Sequence, residues 1–245
     1  MGGFLDGPLP LAFAHRGFAP DGTENSMAAF ERAVGLGFRY LETDVRVTAD
    51  GVALAFHDAR LDRVTDRAGR IDRLPWGEVQ RARIGGREPI PLLADVLGAW
   101  PDVRVNLDLK HLSSIAPAVE AVRRTGTVER VCVGAFAQRR IGIARRVLGP
   151  RLCTSLGPGE ALALRLGRLG RTEARCAQVP AYVGRRVFTD ARLVAAAHAR
   201  GLQVHVWTVN DEAEMTRLLD LGVDGVMTDR ADLLKALLER RNLWT

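Results

Sequence analysis

The sequence predicts a single (β/α)8 barrel, and three observations carry that prediction. Short β-branched or apolar runs alternate with longer helical patterns throughout, as parallel strands joined by helical crossovers require. Eight such units fit into 245 residues, a usual size for this barrel. No Pro/Gly/Ser-rich linker or charge block divides the chain, so residues 1–245 are read as one domain.

Strands are predicted near 10–14, 39–45, 103–109, 130–135, 151–155, 175–179, 202–206 and 223–227. Helical patterns follow most of them, over 25–36, 115–125, 137–148, 159–168, 190–200, 211–221 and 230–241. A doubly wound open sheet has the same alternation, but the first strand–helix turn lacks G-x-G-x-x-G. One segment, from "TADGVALAFHD" to "GGREPIP", breaks the pattern between the second and third units. Within it Asp50-Gly51 is a hairpin signal and "VALAFH" an extra strand, so a short lid-like excursion over one mouth is expected.

Apolar residues make up 47% and charged residues 26%, ordinary for a globular chain. No apolar run is long enough to cross a bilayer and no leader pattern is visible. A soluble, cytoplasmic protein without stable membrane insertion is expected. The net charge of +6 rests on 33 Arg and two Lys, scattered in ones and twos, which reads as solvated helix faces and not as a nucleic-acid partner. Cys132, Cys153 and Cys176 form no C-x-x-C and are read as buried, reduced thiols.

Barrel strands should be apolar on both faces, and two are not. In "YLETDVRV", Leu41, Thr43 and Val45 share one face while Glu42 and Asp44 share the other. In "VRVNLDLKH", Asn106, Asp108 and Lys110 line up inward in the same way. Burying Glu42, Asp44 and Asp108 together requires positive charge nearby, from Lys110, Arg16 or a divalent cation. An all-oxygen trio suits Mg²⁺ or Ca²⁺ better than zinc, although an internal salt-bridge network satisfies the same spacing.

His15 closes "LAFAH" and His57 closes "VALAFH". A lone strand-end histidine is usually structural; two converging on a carboxylate cluster suit proton transfer. Arg16 offers a fork for phosphate oxygens. Trp207 either walls a pocket or packs. His198 is expected at the surface, and His205 and His111 behind the site; Thr228 and Asp229 are expected to cap the last helix.

"HRG", "TENS", "YLETDVRVTADG", "FHD..LDRVTD..G", "NLDLK", "WTVN" and "GVDGVMTDR" together resemble the glycerophosphodiester phosphodiesterase family, from about residue 10 to 234. The resemblance implies the same barrel, a divalent cation, Mg²⁺ or Ca²⁺, and hydrolysis of small-molecule glycerophosphodiesters to glycerol 3-phosphate and an alcohol. It implies His15 and His57 as the acid–base pair and Glu42, Asp44 and Asp108 as metal ligands. Arg16, Lys110, Trp207 and Glu24 match its substrate-binding positions. The family usually has Pro where Thr23 begins "TENS" and Glu where Asp108 stands. A phospholipase D acting on lysophospholipids and a non-catalytic phosphate-binding barrel are the alternatives.

Overall fold

The computed structural model describes residues 3–244. Eight parallel strands form a ring: β1 (Leu11–His15), β2 (Tyr40–Val47), β3 (Arg104–Leu109), β4 (Val131–Gly134), β5 (Cys153–Thr154), β6 (Cys176–Pro180), β7 (Gln203–Trp207) and β8 (Gly225–Thr228). Neighbours run β5-β4-β3-β2-β1-β8-β7-β6, and a parallel bridge from Ser155 to Cys176 closes the circle. The crossover helices are α1 (Met27–Gly35), α2 (Leu93–Ala99), α3 (Ile115–Thr125), α4 (Gln138–Leu148), α5 (Pro158–Arg165), α6 (Ala191–His198), α7 (Glu212–Asp220) and α8 (Ala231–Arg240). The predicted barrel is therefore observed.

Local chemistry sets the helix ends. Ser26, Asp190 and Asp211 cap α1, α6 and α7 by accepting from backbone N–H groups three residues on, and α3 ends at Gly126 with φ 65°. Outward-facing Leu41, Val45, Leu107 and Val204 are fully buried under the helices. The inner face is filled towards its N-terminal end by Phe13, Tyr40, Met227 and the three cysteines, with Phe4 packed against them. Phe13 has no exposure, so its burial contributes roughly 1.5–3 kcal/mol. The cysteines are buried and free, as read from the sequence.

The excursion after β2 starts as predicted. Gly51 takes φ 86° and the short strand Ala53–Ala55 pairs antiparallel with β2. It is more than a loop: Leu54, Phe56, Leu61, Ile71, Val79, Ala82, Ile84 and Ile90 give residues 54–90 a small core of their own. Helix α2, unmarked in the sequence, follows it; its seven residues are too few to show a helical period.

Candidate active site

Strand register assembles the site at the C-terminal mouth. His15 pairs with Glu42, Glu42 with Asn106, and Asp44 with Asp108, so inward side chains of three adjacent strands stand side by side. Gln178 donates to Asn106 Oδ1 at 2.8 Å below them.

The turn after β1 aims the cations. Arg16 sits at φ 56°, and its N–H donates to the Glu42 carbonyl at 3.0 Å. Its guanidinium donates to Glu24 at 3.0 Å and lies 3.0 Å from Asp44 Oδ2, where Nε is out of line for a hydrogen bond. Gly17 makes the turn possible: at φ +81°, a Cβ there would lie 2.6 Å from the Ala29 carbonyl carbon. Gly17→Ala is expected to cost roughly 2 to 5 kcal/mol in chemical denaturation, from the left-handed backbone plus the clash.

Lys110 Nζ bridges Asp44 at 2.7 Å and Asp108 at 2.6 Å. Burial pushes Asp44 up, but Lys110 and Arg16 outweigh it and hold the carboxyl below its ordinary range. For Glu42 the balance is reversed: burial and then the Asp44 charge outweigh the pull of His15 and Arg16 and raise it to about 7. Asp108 is also raised, chiefly by burial, and its Oδ1 has no hydrogen-bond partner. Asn25, at φ 60°, donates to Asp44 at 3.1 Å and accepts from Thr43 at 2.7 Å.

Each histidine is backed by a carboxylate. His15 Nδ1 lies 2.6 Å from Asp229 Oδ1 and its Nε2 lies 3.6 Å from Glu42. Burial lowers the His15 pKa, but Glu42 and Asp229 reverse this and leave it raised. His57 Nδ1 lies 2.6 Å from Asp58 Oδ1. A carboxylate only accepts, so Nδ1 of both rings carries the proton and Nε2 is left to exchange one. His57 stands two residues past its short strand, held by Phe56 N–H donating to the Asp44 carbonyl and by Arg46 donating to the His57 carbonyl, both at 2.9 Å.

The structure thus gathers His15, Arg16, Glu24, Glu42, Asp44, Asp108 and Lys110 in one contact network, with His57 joined to Glu24 through Asp58 and Arg63. No three residues among those described bring one carboxylate oxygen each within 4.8 Å of one another; that spacing is met by the thiols of Cys132, Cys153 and Cys176. Trp207 is half-buried at the end of β7, its ring 5.4 Å from that of exposed Phe136. Lys110 Nζ lies 5.9 Å from the Phe136 ring.

Several residues escaped the sequence reading. Asp229 does not cap α8, whose first turn has no side-chain cap; it serves His15 and is held by Asn210 at 2.7 Å. Asp58, next to His57 in "FHD", was the legible one. His205 does not reach the mouth: it is buried below, bonded to Gln203 at 3.1 Å, and desolvation lowers it to about 3. His198 is on the surface, 2.7 Å from Asp224, and His111 accepts from Ser113 N–H at the turn after β3.

Residues 15–233 match the Glycerophosphoryl diester phosphodiesterase family. The chain belongs to that family. It is 45% identical, over 96% of its length and 92% of the relative's, to the Mycobacterium tuberculosis protein named probable glycerophosphodiester phosphodiesterase 2. A lysophospholipase D of Mus musculus is 28% identical over 94% of this chain and 86% of its own. The glycerophosphodiester phosphodiesterase structure from Agrobacterium tumefaciens superposes with a TM-score of 0.79 at 25% identity, covering 92% of this chain and 98% of that one. The glycerophosphodiester phosphodiesterase reading and the barrel predicted from sequence both stand, and the chain is a phosphoric diester hydrolase. No helix among the described residues is long and apolar enough to cross a membrane.

Proposed function

We propose that the chain hydrolyses glycerophosphodiesters to glycerol 3-phosphate and an alcohol, using one divalent cation and the His15–His57 pair. One observation carries this: two buried polar atoms at the mouth lack a hydrogen-bond partner, the donor Arg16 Nε and the acceptor Asp108 Oδ1. The first suits an anionic oxygen and the second a cation.

By donor type, three carboxylates, the set fits Mg²⁺ or Ca²⁺, and binding would draw together oxygens that do not all lie within 4.8 Å of one another here. Glu42, Asp44 and Asp108 would hold the ion; burial first, and then the negative charge of Asp44, raise Glu42 to about 7. When bound, the ion polarises a phosphoryl oxygen. Arg16 and Lys110 clamp the remaining phosphate oxygens, one as a fork and one as a point charge. One imidazole takes the proton of the attacking hydroxyl at Nε2 while the other protonates the departing alkoxide. The neighbouring glycerol hydroxyl is the nucleophile, which yields a cyclic phosphate that water opens as the rings exchange roles. Glu24 holds Arg16, and Trp207 walls the alcohol side. The substrate is a small molecule; nucleic acid is not a partner.

A longer alcohol is the second reading. Phe136, 62% exposed and edge-on to Trp207, offers an apolar wall beside Lys110 that suits the acyl chain of a lysophospholipid.

The test is a panel of glycerophosphodiesters and lysophosphatidylcholine assayed for phosphomonoester release, with and without chelator. Release of glycerol 3-phosphate that stops on chelation supports the first reading; cleavage of the lysolipid alone supports the second. A titration adds a pH test. Glu42 must lose its proton to ligate, so cation affinity is expected to fall up to about tenfold per unit as pH drops below 7. Calorimetry in buffers of different ionisation enthalpy reads the proton released.

A further inference from the structure

Arg63 lies on the excursion, outside the set of residues that the mechanism uses. Its guanidinium grips two carboxylates at once. Nε donates to Asp58 Oδ2 at 2.6 Å and NH2 to Asp58 Oδ1 at 3.2 Å. NH1 donates to Glu24 Oε2 at 3.1 Å and NH2 to Glu24 Oε1 at 2.6 Å. Those carboxylates are the partners of the two groups assigned to proton transfer and anion binding: Asp58 Oδ1 meets His57 Nδ1 at 2.6 Å, and Glu24 Oε1 meets Arg16 at 3.0 Å.

From this chain of contacts we infer that Arg63 is a positioning residue that sets the aim of His57 and Arg16 together, through Asp58 and Glu24. The inference rests on the roles proposed above for those two groups. A carboxylate alone rotates about its last bond and offers either oxygen along several directions. Paired to a planar fork, its plane is fixed, and the oxygen facing the third partner is fixed with it. Asp58 is drawn down to about 2, with the Arg63 bond as the first cause, so it stays an acceptor for the imidazolium that forms during turnover. Lys, a point charge with no fork, cannot fix both planes.

The alternative is that Arg63 only clips two loops together. A second clip makes the two separable. Arg87, also on the excursion, pairs with Asp21 of the turn after β1 and touches neither Asp58 nor Glu24. Arg63 is half-exposed, so its loss opens no core cavity.

The experiment measures kcat, KM and melting temperature on glycerophosphocholine for the wild type, Arg63→Gln, Arg63→Lys, Arg87→Gln, Asp58→Asn, and Arg63→Gln combined with Asp58→Asn, beside His57→Ala. Arg63→Gln is expected to lower kcat roughly 10- to 100-fold, since small misplacements of reacting groups cost that much. Arg63→Lys should recover only part, Arg87→Gln should keep wild-type kcat, and the double variant should be no slower than the slower single one. Wild-type kcat in Arg63→Gln, an equal loss in Arg87→Gln, or multiplied losses in the double variant would overturn the inference. An active His57→Ala would instead sink the role of His57; an inactive one beside an unimpaired Arg63→Gln sinks the Arg63 inference alone.

Discussion

His57→Ala is expected to lose about 10² to 10⁴ of kcat on glycerophosphocholine and leave folding intact. The ring is one-third exposed and its Nδ1 contact is to Asp58, itself held by Arg63, so truncation strands no buried charge. Its backbone stays fixed by the Arg46 bond to its carbonyl. The proposed reaction needs a proton acceptor and a proton donor on opposite sides of phosphorus, and the other three histidines are placed elsewhere: His205 is buried beneath, His198 lies on a helix at the surface, and His111, on the turn after β3, has its Nδ1 tied to Ser113. Steady-state assay beside a thermal melt separates lost chemistry from lost fold. Wild-type kcat in this variant would remove the histidine pair from the mechanism.

Asp44→Ala should damage fold and chemistry together. Its carboxylate is buried and touches Lys110, Arg16 and Asn25. Without it, two cations lose a partner in a low-dielectric mouth, a loss of about 3–5 kcal/mol for a broken buried pair. The cation also loses a ligand. Chemical denaturation should show that destabilisation, and phosphomonoester release should fall below detection even in excess Mg²⁺. Stability within 1 kcal/mol of wild type would mean that water compensates the cations, as at a surface pair.

The sequence announced the barrel because its strands are spaced by helical patterns, and announced the acids because Glu42, Asp44 and Asp108 fall on faces that ought to be apolar. A polar residue out of period is a local signal. The partners of those residues send none. Asp229 follows the last strand and precedes a helix, where an acid is ordinarily a cap, and only ring closure between β1 and β8 brings it to His15. Arg63 is one of 33 arginines, and nothing local separates it from those that face solvent. Its double grip exists because the excursion, with a core of its own, folds back beside the turn after β1. His205 shows the reverse case: it shares the inward face of β7 with Trp207, yet lies two residues deeper, where desolvation keeps it neutral.

The most direct test is anomalous diffraction from crystals soaked in Mn²⁺ at a pH above 7, with an inactive His57→Ala variant holding substrate. A single peak within about 2.0 to 2.6 Å of oxygens from Glu42, Asp44 and Asp108 is the predicted result. A peak that bypasses these three side chains, or none at a Mn²⁺ concentration that sustains turnover, would contradict it.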